Sequence, residues 1–325
     1  MTDKTVIITG GGAGLGYECA KCLAASRQGW RVLIAGRNKQ GVSEAATRLN
    51  NSIPGSQAGA FALDLASLDS VRGFVEDFRK LGWPPLRALI CNAGIQIVTG
   101  TSRTRDGFEM TFGVNHLGHF LLVNLLMTSF VAPARIVVVS SDTHDPAQTT
   151  GMPEPHYESA VSLAYPPEND ESDRSVDVGM MGRRRYTTSK LCNIYFTYEL
   201  FRRLAEHGLS TIRYPITANA FNPGLMPGTG LARDYSPFMR FAWNYVLPLI
   251  RPVARLFVPM GSARRSGQAL ARLVLDPSLE GVSGKYYSVF DEQRSSDESY
   301  DLQRAHELWE TSAKLVNLGR DETPL

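Results

Sequence analysis

The order of apolar runs along the chain predicts an α/β protein built on a doubly wound parallel sheet. Two observations carry that expectation. Short β-branched runs alternate about five times with longer helix-like stretches in the first half of the chain. The runs are continuously apolar, as strands are when helices cover both faces of a parallel sheet. In addition, the glycine-rich segment Thr9-Gly10-Gly-Gly-Ala-Gly14-Leu-Gly16 lies between the first strand and the first helix. Backbone can approach an anion closely there, and a helix N-terminus offers free N–H groups to it.

The elements follow in order. Val6-Ile7-Ile8, Arg31-Val-Leu-Ile-Ala35, Ala58-Gly-Ala-Phe-Ala62, Ala88-Leu-Ile-Cys91 and Arg135-Ile-Val-Val-Val139 read as strands. The stretches 15–28, 39–50, 68–81 and 107–131 read as helices. Residues 142–185 are rich in Pro, Asp, Glu, Ser and Gly and hold no evident element, so an insertion or flap is expected there. A helix at 186–206 and a sixth strand at 217–221 come next. Residues 225–262 are strongly apolar but are broken by Pro227, Pro237, Pro248, Pro252 and Pro259 and by Arg240, Arg251 and Arg255. A transmembrane helix needs about 20 uninterrupted apolar residues, so a lid over an apolar pocket is expected, with no integral membrane segment. A last strand at 285–290 and a helix at 297–318 close a single domain spanning 1–325.

Composition narrows the function classes. Of the 325 residues 43% are hydrophobic and 20% charged, which excludes a disordered chain, and the net charge of +2 gives no footprint for nucleic acid. The four cysteines, Cys19, Cys22, Cys91 and Cys192, are too few for a disulfide scaffold. Cys19 and Cys22 fall within a helix with no second ligand pair nearby, so no metal is implied. With no signal peptide evident, a cytoplasmic location is expected.

The glycine spacing Gly-x-x-x-Gly-x-Gly is followed by Asn92-Ala93-Gly94, by Asn115 within Val-Asn-His-Leu-Gly-His, by Ser140-Ser141, by Tyr186-x-x-x-Lys190 and by Asn222-Pro223-Gly224. This series resembles the short-chain dehydrogenase/reductase family, from about Thr5 to Gly224. The resemblance implies a Rossmann fold and a catalytic tetrad of Asn115, Ser141, Tyr186 and Lys190. Tyr186 is the acid–base group and Ser141 the donor to the substrate oxygen; the second serine of such a pair is the one the family uses. Lys190 holds the nicotinamide ribose, and Asn115 supports a water that relays protons. Tyrosine has a reference pKa near ~10, and a lysine four residues on shares its helix face, where an ammonium favours the phenolate. The implied cofactor contacts are Gly10, Gly12, Gly14, Leu15, Gly16, Asp64, Leu65, Asn92, Ala93, Gly94, Tyr186, Lys190, Pro223, Gly224 and Thr229. At the end of the second strand, Gly36-Arg37-Asn38 carries no acid to bind a free ribose hydroxyl and offers a cation to a 2′-phosphate, which favours NADP(H).

Within the family, the long insertion before Tyr186, the segment Tyr186-Thr-Thr-Ser-Lys-Leu-Cys-Asn193 and the tail Leu308-Trp-Glu-Thr-Ser-Ala-Lys-Leu-Val316 are similar to light-dependent protochlorophyllide reductases. The run Asp106-Gly-Phe-Glu-Met-Thr-Phe-Gly-Val-Asn-His-Leu-Gly-His119 is similar to retinol dehydrogenases. Leu225 stands where the pigment reductases have a cysteine, and Ser141 where they have a threonine; both departures point to carbonyl chemistry. The expectation is an NADP(H)-dependent oxidoreductase for a bulky hydrophobic ketone, aldehyde or alcohol. A light-dependent C=C reductase and a non-catalytic, nucleotide-binding regulator are the alternatives. Homodimer and monomer both remain open.

Overall fold

Residues 3–167, 177–211, 215–226 and 261–325 are described in the computed structural model. Their strands are β1 (Lys4–Thr9), β2 (Trp30–Gly36), β3 (Gly59–Ala62), β4 (Leu86–Cys91), β5 (Phe130–Val139), β6 (Ile216–Asn222), β7 (Tyr286–Ser288) and β8 (Asp291–Gln293). The helices are α1 (Gly14–Ala25), α2 (Lys39–Ser52), α3 (Leu68–Lys80), α4 (Met110–Ser129), α5 (Ala160–Ala164), α6 (Val178–Glu206), α7 (Ala263–Leu275) and α8 (Leu302–Leu315). All eight strands form one sheet in the order β3-β2-β1-β4-β5-β6-β7-β8. Neighbours are parallel except β8, which turns back antiparallel on β7. The chain winds outward from β1 in one direction and then resumes at β4 on the other side. The crevice at the carboxyl ends of β1 and β4 is therefore the switch point where such sheets take ligands.

Strands β1, β2, β4 and β5 each feed two cores. Val6 and Ile8 of β1, Val32 and Ile34 of β2, and Val137 and Val139 of β5 pack on the side of α1, α2 and α7. Ile7, Leu33, Leu89, Ile136 and Val138 face the opposite core, made with α3, α4, α6 and α8. A side-chain period of two on a continuous apolar run thus fills both faces. Full burial of each such side chain contributes about 1.5–3 kcal/mol.

Several elements differ from the sequence reading. The long helix starts at Met110 because the Glu109 carboxylate caps it, accepting from the Thr111 and Phe112 N–H groups at 3.0 and 2.7 Å. Helix α6 starts at Val178, about two turns before Tyr186, with Asp177 as its cap. The expected insertion therefore supplies those turns, together with α5 and a one-turn 3-10 segment at Asp142–His144. Helix α7 and strand β8 were not anticipated. Helix α4 has the length and apolarity to cross a membrane, but 89% of that apolar stretch is buried within the protein.

Candidate active site

The glycine loop joins β1 to α1 at the switch point. Gly14 sits at φ +56, and a Cβ on Gly16 would lie 2.6 Å from Asn92 Nδ2 and 2.7 Å from the Gly10 carbonyl, so both positions require glycine. Leu15 turns into the core, whereas Gly12 meets only an ordinary contact, with Val42. Among the described helices of eight or more residues, α1 is the one with no side-chain cap at its start. Asn38, Ser67, Glu109, Asp177, Ser262 and Asp301 cap the others. The leading N–H groups of α1 are thus left for an anion. Arg48 of α2, which no motif singled out, reaches the Gly12 carbonyl at 3.5 Å and lies over the Tyr17 ring.

Behind the loop runs a buried chain of hydrogen bonds. Thr9 Oγ1 accepts the N–H groups of Asn92 and Ala93, each at 2.9 Å, and Asn92 Nδ2 donates to the Thr9 carbonyl at 2.7 Å. Thr9 also meets His119 Nε2 at 2.9 Å, while His119 Nδ1 lies 3.2 Å from the Asn115 carbonyl. The carbonyl can only accept, so Nδ1 carries the proton and Nε2 accepts from Thr9. Burial brings the His119 pKa down to about 4, which keeps it neutral.

Asn115 lies in a π turn, Gly113–Leu117, within α4. Its side-chain amide donates both protons to protein, to the Ile95 carbonyl at 3.0 Å and Ser189 Oγ at 2.9 Å, and Oδ1 accepts from Ile95 N–H at 2.8 Å. Ser189 in turn donates to the Tyr186 carbonyl at 2.7 Å. The Asn115 side chain therefore clamps the loop after Gly94 to the helix of Tyr186.

Tyr186 and Lys190 are buried one turn apart on α6. Lys190 Nζ lies 5.5 Å from the centre of the Tyr186 ring and donates to the Val139 carbonyl at 3.2 Å. Burial brings the Lys190 pKa down to about 8. A Cβ on Gly94 would stand 3.5 Å from that ammonium. The two serines at the end of β5 separate cleanly. Ser140 is buried and donates to the Lys190 carbonyl at 2.7 Å, whereas Ser141 is partly exposed and donates to Asp142 Oδ1 at 3.0 Å.

The remaining candidates are placed as follows. Arg37 is exposed at the end of β2, and Asn38 Oδ1 caps α2 by accepting from Gly41 N–H at 3.0 Å. Asp64 Oδ1 accepts from Ala66 N–H at 3.1 Å, and the Leu65 side chain belongs to the core. The Pro223 carbonyl accepts from Ser266 Oγ at 2.7 Å, and Gly224, at φ +70, donates to Asn222 Oδ1 at 2.9 Å. Thr229 lies outside the described residues, as does the expected lid beyond Met226 apart from its last two residues. A surface cavity of about 660 Å³ at Leu68, Phe108, Tyr165 and Leu315 shares no residue with this cluster.

The family model described as short chain dehydrogenase matches residues 4–153. The chain is 36% identical over 336 residues to protochlorophyllide reductase A of Oryza sativa subsp. japonica, covering 98% of this chain and 82% of that protein. It is 34% identical over 318 residues to the WW domain-containing oxidoreductase of Danio rerio, covering 97% of this chain and 69% of that one. A crystal structure of an uncharacterised protein from Mycobacterium paratuberculosis matches it with a TM-score of 0.67 at 28% identity, covering 97% of this chain and 94% of the other.

Proposed function

Because the chain belongs to the short-chain dehydrogenase/reductase family of oxidoreductases, we propose that it moves hydride between NADP(H) and a bulky hydrophobic ketone, aldehyde or alcohol. The observation that supports this most is the buried Lys190 ammonium beside Tyr186, held by a carbonyl and, among the described residues, by no carboxylate. A charge kept in the interior at that cost is a functional-site signature.

The residues fit the cofactor. The uncapped start of α1 and the loop from Gly10 to Gly16 would hold the pyrophosphate. Arg37 would pair with the 2′-phosphate, and Lys190 with the nicotinamide ribose. NADPH, when bound, supplies the hydride. Tyr186 gives its phenolic proton to the oxygen that the reduction leaves negative, and the nearby ammonium lowers the cost of the resulting phenolate. Ser141 Oγ donates a hydrogen bond to the same oxygen once it turns from Asp142. Asn115 acts on the frame, holding the Gly94 loop against α6. Alcohol oxidation is the same sequence reversed.

Consumption of NADPH with phenanthrenequinone and a panel of bulky aliphatic ketones tests this reading. Turnover that disappears in Tyr186→Phe is the expected result, and turnover unaffected by that change would refute the acid–base assignment. The identity with a protochlorophyllide reductase favours a second reading, light-driven C=C reduction. It predicts NADPH consumption with protochlorophyllide only under illumination.

A further inference from the structure

We propose that His144 is a positioning residue for Ser141, its imidazole tying the serine to the C-terminal segment at 295–299. His144 is buried at the end of the one-turn segment that follows Ser141. Its Nδ1 lies 2.6 Å from the Ser141 carbonyl, and its Nε2 lies 3.0 Å from the Ser296 backbone nitrogen. The carbonyl can only accept and the backbone N–H can only donate. The ring must therefore be neutral with its proton on Nδ1, both ring nitrogens being used.

The far end of this tie is anchored in turn. Ser299 Oγ donates to the Ser296 carbonyl at 2.6 Å and meets Ser295 Oγ at 2.7 Å, and Ser295 Oγ meets Tyr198 OH at 2.6 Å. Tyr198 belongs to α6, the helix of Tyr186 and Lys190. Tyr286 of β7 packs on the imidazole with ring centres 5.1 Å apart. Ser141 lies just beyond the end of its strand, where the sheet no longer holds it. Through His144 it is fixed relative to the same helix that carries the acid–base tyrosine. That frame matters because Ser141 Oγ and Tyr186 OH must reach one substrate oxygen together, and displacement by about 1 Å costs on the order of a hundredfold in rate.

The inference rests on the reading of Ser141 as the donor to that oxygen, and two substitutions separate the imidazole's contacts. In His144→Asn the amide takes the place of Nδ1 and keeps a donor for the Ser141 carbonyl. In His144→Gln the longer amide reaches the place of Nε2, keeping the Ser296 contact and losing the one to Ser141. Either substitution breaks the tie at one end, so with NADPH and phenanthrenequinone both His144→Asn and His144→Gln should lower kcat by about tenfold to a hundredfold, with NADPH affinity close to that of the wild type. In a Ser141→Ala background the same substitutions should lower kcat no further. Wild-type kcat in a folded variant, or a further loss of kcat in the Ser141→Ala background, would make His144 a plain strut and overturn the proposal. Ser141→Ala run in parallel separates the two failures. If it turns over as the wild type does, or if the wild type does not turn over at all, the reading of the site falls and this inference with it. If Ser141→Ala is impaired and His144→Gln is not, only the inference falls.

Discussion

At Lys190, burial lowers the ammonium pKa to about 8, so the unfolded chain holds this proton more tightly than the folded one. Stability therefore rises with pH from about 8 toward the ordinary lysine range, and the full burial penalty is present below that window. Lys190→Met keeps the stem and removes the charge. It should raise the melting temperature near neutral pH, by a gain on the order of 1–3 kcal/mol, flatten the alkaline rise and remove turnover. Thermal melts at neutral and alkaline pH test this, and a lower melting temperature for the variant at neutral pH would contradict it. Arg37 is exposed at the end of β2 and is expected to meet the 2′-phosphate. Arg37→Ala should weaken NADPH by about 1.5–3 kcal/mol and leave NADH nearly unchanged. Fluorescence titration of both cofactors measures this, and equal wild-type affinity for the two would sink the assignment. Tyr186 and Lys190 were legible in the sequence because the motif series resembles the family's, and their four-residue spacing puts them on one helix face. His119, His144 and Ser189 were not, because their hydrogen bonds depend on tertiary placement. Ser296, for instance, lies 152 positions from His144.

Among the elements, the parallel strands and the glycine loop were readable because continuous apolar runs and a strand–loop–helix order leave few alternatives. The start of α6 was not readable, because Gly179 and Gly182 and the polar residues before Tyr186 resemble loop composition. Gly182 has a packing reason: a Cβ there would lie 2.1 Å from the Ile97 carbonyl and 2.8 Å from Val98 Cα. The first turns of α6 thus press against the loop that continues from Asn92-Ala-Gly94. Helix α7 does carry a sequence signal, a Ser262 cap followed by Leu270, Leu273 and Val274 on a buried face. Strand β8 has three exposed residues and no apolar pattern to find. Gly182→Ala should therefore destabilise the protein by about 1–3 kcal/mol, with NADPH affinity and turnover falling together. Gly73→Ala, in α3 with nothing near its Cβ position, should instead stabilise by up to about 1 kcal/mol. Denaturant melts of the pair check both signs, and a tolerated Gly182→Ala would show that α6 can retreat from the loop without cost.

Across the whole molecule, the C-terminal helix α8 closes the face formed by α4 and α6. Trp309 packs edge-on against Phe120 at 5.0 Å and stacks on Phe196 at 5.7 Å, with the Arg203 guanidinium 4.6 Å from its ring. These contacts bury the Trp309 ring between α4 and α6. Trp309→Ala should cost about 3–5 kcal/mol of stability and leave NADPH affinity of the folded protein unchanged. Calorimetry and cofactor titration separate the two effects, and a loss of affinity without a loss of stability would be the wrong pattern. Ser140 Oγ on the Lys190 carbonyl and Lys190 Nζ on the Val139 carbonyl tie α6 to the end of β5, and hydride transfer with Tyr186 as the proton source is the reaction proposed for this site. It is tested most directly with NADPH carrying deuterium at the transferable C4 position and a ketone that the wild type reduces. The expected result is deuterium on the carbinol carbon of the product with the wild type, and none with Tyr186→Phe at undiminished NADPH binding. Deuterated product formed at comparable rates by both proteins would contradict it.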